Sequence, residues 1–352
     1  MKKKPSLQDI ASELGVSKMT VSLALRDHPS ISGPTKDKVI SAAARIGYKR
    51  NLELSNYMAA MRRGRSESAQ LPIAYLTTGE SPDTWKKSHT QVLYRKGAHE
   101  QANAYGYHLD EFWIDAPGMT TARLNKILWN RGIQGVLVHP FNPQADPSLN
   151  PCKLDLPWDQ FSTVIMSDTL PGTGVNRIIH SHYESMLTTM NTLTEKGYRR
   201  IGYCMSSSND FITNRRWHAA YLVYRRNNTS KKLTEIPPLI APEITADLLG
   251  NWIEKYKLDA FIGASPRILA KAEALGIRLG EDIAYADLDL DLQSELHKNI
   301  SGIDQNSLHF GHAAVDLVIN GILKSTHGIS RNSMTIQIEG TWCERGSTPD
   351  RS

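Results

Sequence analysis

The sequence predicts two unlike parts: a small all-α helix-turn-helix domain within residues 1–50, and a larger α/β part from about residue 71 that is bilobed. Three observations predict this. Two capped, apolar-periodic segments flank a Gly15-Val16 turn; a third helical segment follows them; and from residue 72 short β-rich runs alternate with helical stretches in two clusters.

The first segment, "SLQDIASELG" (6–15), has Ser6 as N-cap with Asp9 three residues later. Ile10, Ala11 and Leu14 share one face, and Gly15 ends the helix. In "VSKMTVSLALRDH" (16–28), Ser17 caps a second helix that exposes Lys18, Met19 and Thr20 and turns Val21, Ala24 and Leu25 inward. A third helix in "SISGPTKDKVISAAARIGY" (30–48) has Ser32 as cap, Pro34 in the first turn, apolar Val39, Ala43 and Ile46, and Gly47 as stop. Two short helices across a tight turn make a helix-turn-helix, although spacing alone fits any three-helix module.

Charge is more decisive. Residues 1–65 carry thirteen Lys or Arg against five Asp or Glu, a net +8, whereas the other 287 carry twenty-eight against thirty-one, a net −3. A basic helix-turn-helix on a mildly acidic body is the footprint of a module that contacts phosphates and releases their counterions.

The segment 51–70 begins with helical spacing (Leu54, Met58, Met61) and passes into charged and small residues, which reads as a linker containing a helix. Beyond it, "PIAYLTT", "VLYRKGAHEQANAYG", "YHLDEFWI", "TARLNKILWNRG" and "GVLVHP" form one strand-helix cluster. A second runs from "STVIMSD" to "PRILAKAEALG". Such alternation implies parallel sheets covered on both faces, with the ligand site beyond the carboxyl ends of the strands, in a cleft between lobes. No GxGxxG follows the first strand and no Walker-type loop is present, so no nucleotide cofactor is expected.

A chain of 352 residues with 40% hydrophobic content holds one small and one large domain. It has no apolar run near 18 residues, and "MKKKPSLQD" lacks the apolar stretch of a secretory signal, so a cytoplasmic protein with no membrane partner is expected. Cys152, Cys204 and Cys343 are odd in number and far apart, which suggests neither a disulfide framework nor a metal site. The histidine pairs His180/His182 and His309/His312 lack a further ligand at a recognised spacing. HExxH, GxSxG and Cys-His signatures are absent, which argues against an enzyme.

The stretches "LQDIASELGVSKMTVSLAL", "TKDKVISAAARIGY", "EKGYRRIGY", "GIRLGEDIAYADLD" and "EGTWCERGST" resemble the LacI/GalR family of bacterial transcription regulators across nearly the whole chain. The resemblance implies a type I periplasmic-binding-protein-like effector domain over 71–352. Its N-lobe would hold about 71–180 and 305–328, its C-lobe about 181–304 and 329–352, with crossings near Ser181, Asp304 and Gly328. It also implies a repressor that binds two-fold symmetric double-stranded operator DNA as a homodimer, controlled by a sugar or related metabolite. No leucine-heptad tail follows "GSTPDRS", which favours a dimer over a tetramer.

By the same resemblance, the base-reading positions fall on Lys18, Met19 and Leu23, and phosphate contacts on Ser6, Thr20, Ser22, Ser30, Ser32 and Thr35. Asn51 is a further DNA-binding position, at the start of the hinge helix, residues 51–70, which in the family lies in the minor groove and wedges a Leu into the central base step. Here the wedge position falls on Tyr57, Arg50 replaces the usual Pro and Leu54 a common Ala; either Tyr57 or Met58 forms the wedge, or these apolar residues pack against the partner subunit. Asp168, Arg216 and Asp289 match the family's effector-binding positions, and two carboxylates with one guanidinium form a polyol clamp. Strand-end Asp residues also serve as caps and turn formers, and Arg215 and Arg216 also fit a charged surface. Ala264-Ser265-Pro266 stands where the family usually has Asn-Asp. Ser265 or Asn306 takes that role, or the protein binds a different ligand or none. Trp85, Trp113 and Trp217 are of the type that stacks on sugar rings, or packs in a core. Two other readings stand beside this one: a small-molecule sensor whose N-terminal module contacts protein, and an effector-independent DNA binder.

Overall fold

The computed structural model describes residues 7–25, 31–46, 70–139, 156–168, 174–228, 233–324, 328 and 333–351. Ser6, Ser30, Asn51, Tyr57, Met58, the hinge segment and Cys152 lie outside the described residues.

The N-terminal module contains α1 (Leu7–Leu14), α2 (Lys18–Ala24) and α3 (Gly33–Arg45). Gly15 has φ +63°, and Val16 N–H donates to the Ala11 carbonyl at 3.0 Å, the six-to-one bond of a Schellman stop that turns the chain sharply into α2. Ser17 then accepts from Thr20 N–H at 2.9 Å, satisfying a first-turn donor that would otherwise be orphaned. Ile10, Ala11, Val21, Ala24, Val39, Ala42 and Ala43 form the core, with Leu14, Leu25 and Ile46 packed at its edge. An Arg45–Glu13 ion pair ties α3 to α1.

The first of two six-stranded sheets is built from β1 (Leu71–Thr77), β2 (Tyr107–Trp113), β3 (Gly135–Val138), β4 (Ser162–Ile165), β5 (Asn176–His180) and β11 (Thr335–Ile338), in the order β11-β5-β4-β3-β1-β2. All its neighbours are parallel. Along β1, Ile73 and Tyr75 face one core while Ala74 and Leu76 face another, so both sides of the sheet are buried. Helices α4 (His89–Ala104) and α11 (Ser307–Lys324) cover the first side and α5 (Thr121–Asn130) the second.

The second sheet repeats the plan with β6 (Ile201–Ser206), β7 (Leu239–Ala241), β8 (Ala260–Gly263), β9 (Ala284–Asp287), β10 (Ser301–Asp304) and β12 (Thr341–Cys343), ordered β12-β10-β9-β8-β6-β7. Only β12 runs antiparallel to its neighbour. Helices α6 (His182–Glu195) and α8 (Arg216–Asn227) cover one side, α9 (Ala246–Tyr256) and α10 (Pro266–Ala274) the other, and the short α7 (Ser207–Ile212) follows β6. Among the described residues, no helix is long and apolar enough to cross a membrane.

The chain passes between the sheets at Ser181, at Gln305–Asn306 and at Glu339–Gly340. The third passage corrects the expectation of a crossing near Gly328. Residues 335–338 complete the edge of the first sheet, with Ile336 opposite Ile178 and Ile338 buried. In sequence "TIQIEGTWC" reads as one continuous extended run, but it breaks at Gly340, where a Cβ would stand 2.4 Å from Ile303 Cγ2. Asn306, at φ +54°, ties two crossings together by donating from Nδ2 to the Glu339 carbonyl at 2.8 Å.

Helices α4 and α11 approach through reciprocal glycines. A Cβ on Gly97 would lie 2.1 Å from the Leu308 carbonyl oxygen, and one on Gly311 would lie 2.2 Å from that of Tyr94. Backbone cannot yield as a side chain does, so Gly311→Ala is expected to destabilise the protein by about 1–3 kcal/mol. Chemical denaturation of both proteins measures this; equal midpoints with equal slopes would show that the helices separate freely.

Candidate functional site

Both sheets direct the carboxyl ends of their parallel strands at one cleft, where a cavity of about 940 Å³ is lined from both lobes. That volume lies within the usual range for ligand pockets. The lining includes Asp168 after β4, His180 and His182 around the end of β5, Ser206 at the end of β6, Ser265 after β8, Asp289 after β9 and Gln305 after β10.

The two carboxylates expected to clamp a ligand instead reach across the cleft to the opposite lobe. Asp168 accepts from Arg216 Nε at 2.5 Å and from Asn214 Nδ2 at 3.2 Å. Asn214 and Arg215 both hold positive φ (51° and 54°), making the sharp turn from α7 into α8 that precedes Arg216. Burial pushes the Asp168 carboxyl up, but the Arg216 and Asn214 bonds outweigh it and hold the carboxyl below its ordinary value. Asp289 accepts from Thr90 Oγ1 at 3.0 and 2.9 Å and lies 3.5 Å from His89 Nε2. Its backbone N–H donates to Asp287 Oδ1 at 2.8 Å, and Asp287 also accepts from the Tyr285 hydroxyl at 2.6 Å. Asp287 is fully buried, and burial raises its carboxyl.

Of the other expected effector residues, Ser265 lines the cavity and caps α10, accepting from Arg267 N–H at 3.2 Å. Asn306 does not line it, because its side chain bonds Glu339 and Thr341 at the crossing. Its neighbour Gln305 takes that place and donates from Nε2 to the Leu288 carbonyl at 2.8 Å. Trp85 packs under the Arg95 guanidinium and Trp113 donates to the Gly79 carbonyl; of the three tryptophans singled out, Trp217 lines the cavity.

Sequence reasoning missed His89, Thr90 and the use of His180 and His182. The available signal was "SHT" ahead of a helical run, in which Ser88 caps α4 and puts the next two residues at the cleft. His180 Nε2 lies 2.6 Å from the Tyr94 hydroxyl, and its ring stacks on Phe310 at 4.6 Å. Burial, then the neighbouring His182, push its pKa down to about 3. His182 Nδ1 donates to the His180 carbonyl at 3.0 Å, and burial pushes it down to about 4. Both rings are therefore neutral near pH 7.

In the N-terminal module, Lys18 and Met19 stand exposed on the first turn of α2, Met19 at 71%. Leu23 is half-buried, and Ser22 lies on the same helix. The Thr20 hydroxyl lies 2.8 Å from the Ser17 hydroxyl, and that of Thr35 lies 2.8 Å from Ser32, so these side chains also serve as helix-start bonds.

The His89–Asp289 pair predicts a pH-dependent contribution to stability. Burial acts to lower the His89 pKa, but the hydrogen bond and charge of Asp289, with Asp291 and Asp287, outweigh it and raise the pKa. Burial acts to raise Asp289, and His89 and Thr90 hold it lowered. A raised histidine contributes fully below its ordinary value near 6.5 and less as pH rises through the raised one; a lowered carboxylate contributes above roughly 3.9 and less as pH falls through its own. The melting temperature should therefore fall more for wild type than for His89→Gln between about pH 6.5 and pH 8.5. Parallel curves across that window would remove His89 from the latch.

Comparison with known proteins follows the same division. Residues 6–51 match the model of "Bacterial regulatory proteins, lacI family", and residues 190–348 match that of the "Periplasmic binding protein-like domain". The regulator TreR of Salmonella typhimurium is 22% identical over 330 residues, 86% of this chain and 96% of that protein. The NTD biosynthesis operon regulator NtdR of Bacillus subtilis is 21% identical over 210 residues, 58% of this chain and 56% of that protein's length. Among solved structures, the lac repressor dimer bound to operator covers 99% of this chain and 100% of its own, at 18% identity and TM-score 0.56. The regulator CelR in complex with cellobiose covers 98% and 100%, at 17% and 0.58. With a helix-turn-helix that matches the lacI family of bacterial regulatory proteins, followed by a two-sheet periplasmic-binding-protein-like body, the chain has the domain arrangement of the regulators it is similar to.

Proposed function

We propose that this chain is a lacI-family regulator that works as a homodimeric repressor whose two α2 helices enter the major groove of a two-fold symmetric operator. A sugar-class small molecule held between the lobes sets whether the segments 51–70 order on DNA. Residues 1–50 form the DNA-binding domain and 71–352 the effector and dimerisation domain, with the third crossing at 339–340; the protein acts in the cytoplasm and catalyses no reaction. The observation that carries the reading is the exposed Lys18-Met19 pair on the first turn of a capped helix, in the part of the chain that holds all the net positive charge. Lys18 donates to guanine O6 and N7, while Met19 and Leu23 offer apolar contact to a thymine methyl. Ser6, Thr20, Ser22, Ser30, Ser32 and Thr35 face phosphates, Asn51 with Tyr57 or Met58 the minor groove. The operator-bound lac repressor and cellobiose-bound CelR support both halves of the proposal. One observation favours an effector-independent binder instead: Asp168, Arg216 and Asp289 already pair across the cleft.

Selection of binding sites from random duplex DNA with the full-length protein is expected to return a two-fold symmetric motif. Lys18→Ala should relax preference at one base pair of each half-site, by about 1–3 kcal/mol. An unchanged motif removes Lys18 from base reading, and no enrichment at low salt favours a protein-contact role for the module.

A further inference from the structure

Two polar atoms at the cleft pair with nothing among the described residues. Trp217 Nε1 and His180 Nδ1 are buried without a hydrogen-bond partner, and both rings, 3% and 4% exposed, line the cavity. Unpaired buried donors are rare in folded proteins because they forfeit hydration and gain nothing in return. The Tyr94 phenol stays protonated, since burial raises it, and when it donates to His180 Nε2 the proton of the neutral imidazole sits on Nδ1. Both atoms are then N–H donors.

They come from opposite lobes. His180 ends β5 of the first sheet, whereas Trp217 lies on α8 and packs in the core of the second. His182 stands between them, its ring edge-on to His180 at 5.8 Å and to Trp217 at 4.6 Å. Because its Nδ1 donates to the His180 carbonyl, its Nε2 is an acceptor. The cationic groups of the lining lie elsewhere: Lys87 is exposed and pairs with Glu80, Lys271 is 4.0 Å from Glu243, Arg267 is exposed, and His89, whose pKa is raised, lies 3.5 Å from Asp289.

We infer that the wall formed by His180, His182 and Trp217 is what reads the ligand: an uncharged sugar whose hydroxyl oxygens accept from His180 Nδ1 and Trp217 Nε1, one donor from each lobe. Its C–H faces lie on the aromatic rings. A phosphorylated or acidic ligand finds two neutral histidines here and faces Asp168 and Asp289. Both donor nitrogens are enclosed in this arrangement, so the lobes part to admit the sugar and close again on it, which couples recognition to lobe position. The inference rests on the effector reading of the cleft given above.

The test is calorimetric titration of the full-length protein with glucose, galactose, cellobiose, maltose, trehalose and lactose, and with glucose 6-phosphate and galactose 6-phosphate. An uncharged member should bind wild type, and His180→Phe and Trp217→Phe should each weaken it by about tenfold, the worth of one neutral hydrogen bond in a buried site. In wild type the indole N–H resonance of Trp217 should move on addition of that sugar, a readout that holds even where a variant fails to fold. A sugar that binds wild type and both variants equally, with that resonance unmoved, overturns the wall while leaving the effector reading intact. Binding of the phosphates alone overturns the ligand class. No binding by any member overturns the inference together with the effector reading.

Discussion

The two lobes hold each other through charges that neither can satisfy alone. Asp168 belongs to the first sheet and finds its guanidinium on α8 of the second lobe; Asp289 belongs to the second and finds its hydroxyl and imidazole at the start of α4 in the first. Breaking one partner of a half-buried pair leaves the other desolvated, so the arrangement favours both latches made or both released. The rest of the body follows from this constraint. Parallel strands put all their carboxyl ends on one edge, and three crossings hold the two edges opposite each other, so a strand-end carboxylate of one lobe reaches the helices of the other.

Behind each latch is a rigid support. Asp289 is positioned through its own backbone by Asp287, which Tyr285 holds in turn, both of them fully buried. Arg216 is positioned by two consecutive left-handed residues, a conformation that costs energy in non-glycine residues and persists only where its surroundings enforce it. A switch requires such stiffness on both sides of the moving boundary. Otherwise a ligand's preference for one lobe arrangement would dissipate in side-chain adjustment rather than reach a distant site.

The helix-turn-helix was legible because its signals are local: a cap serine, a glycine at positive φ and a three-to-four residue apolar spacing all lie within one turn of what they specify. The alternation of strand and helix was legible for the same reason. What the sequence left open were the partners. Arg216 and Asp289 stand out in the sequence as effector-site candidates, but the partners they bond lie 48 and 199 positions away, and no periodicity links such pairs. Asn306 and Gln305 are adjacent, and it is Gln305 that meets the cavity, while Asn306, at φ +54°, bonds Glu339 and Thr341 at the crossing. The misplaced crossing has a similar cause, since Thr335–Ile338 is a four-residue edge strand whose polar alternation suits either sheet.

The proposed DNA contact carries its own constraint. One lysine per half-site contributes at most about 1–3 kcal/mol of discrimination, and two-fold symmetry doubles that to about 2–6 kcal/mol. Specific regulators separate their sites from bulk DNA by about 4–10 kcal/mol. Met19, at 71% exposure, and half-buried Leu23 add apolar contact but no hydrogen-bond code. The remainder then has to come from the operator's own shape: the fixed spacing of two half-sites and the ease with which its central steps deform. A protein that reads few bases directly is one whose dimer geometry carries much of the sequence information. In the proposed dimer, a change in the lobes that altered the distance between the two α2 helices would therefore cost specificity as well as affinity.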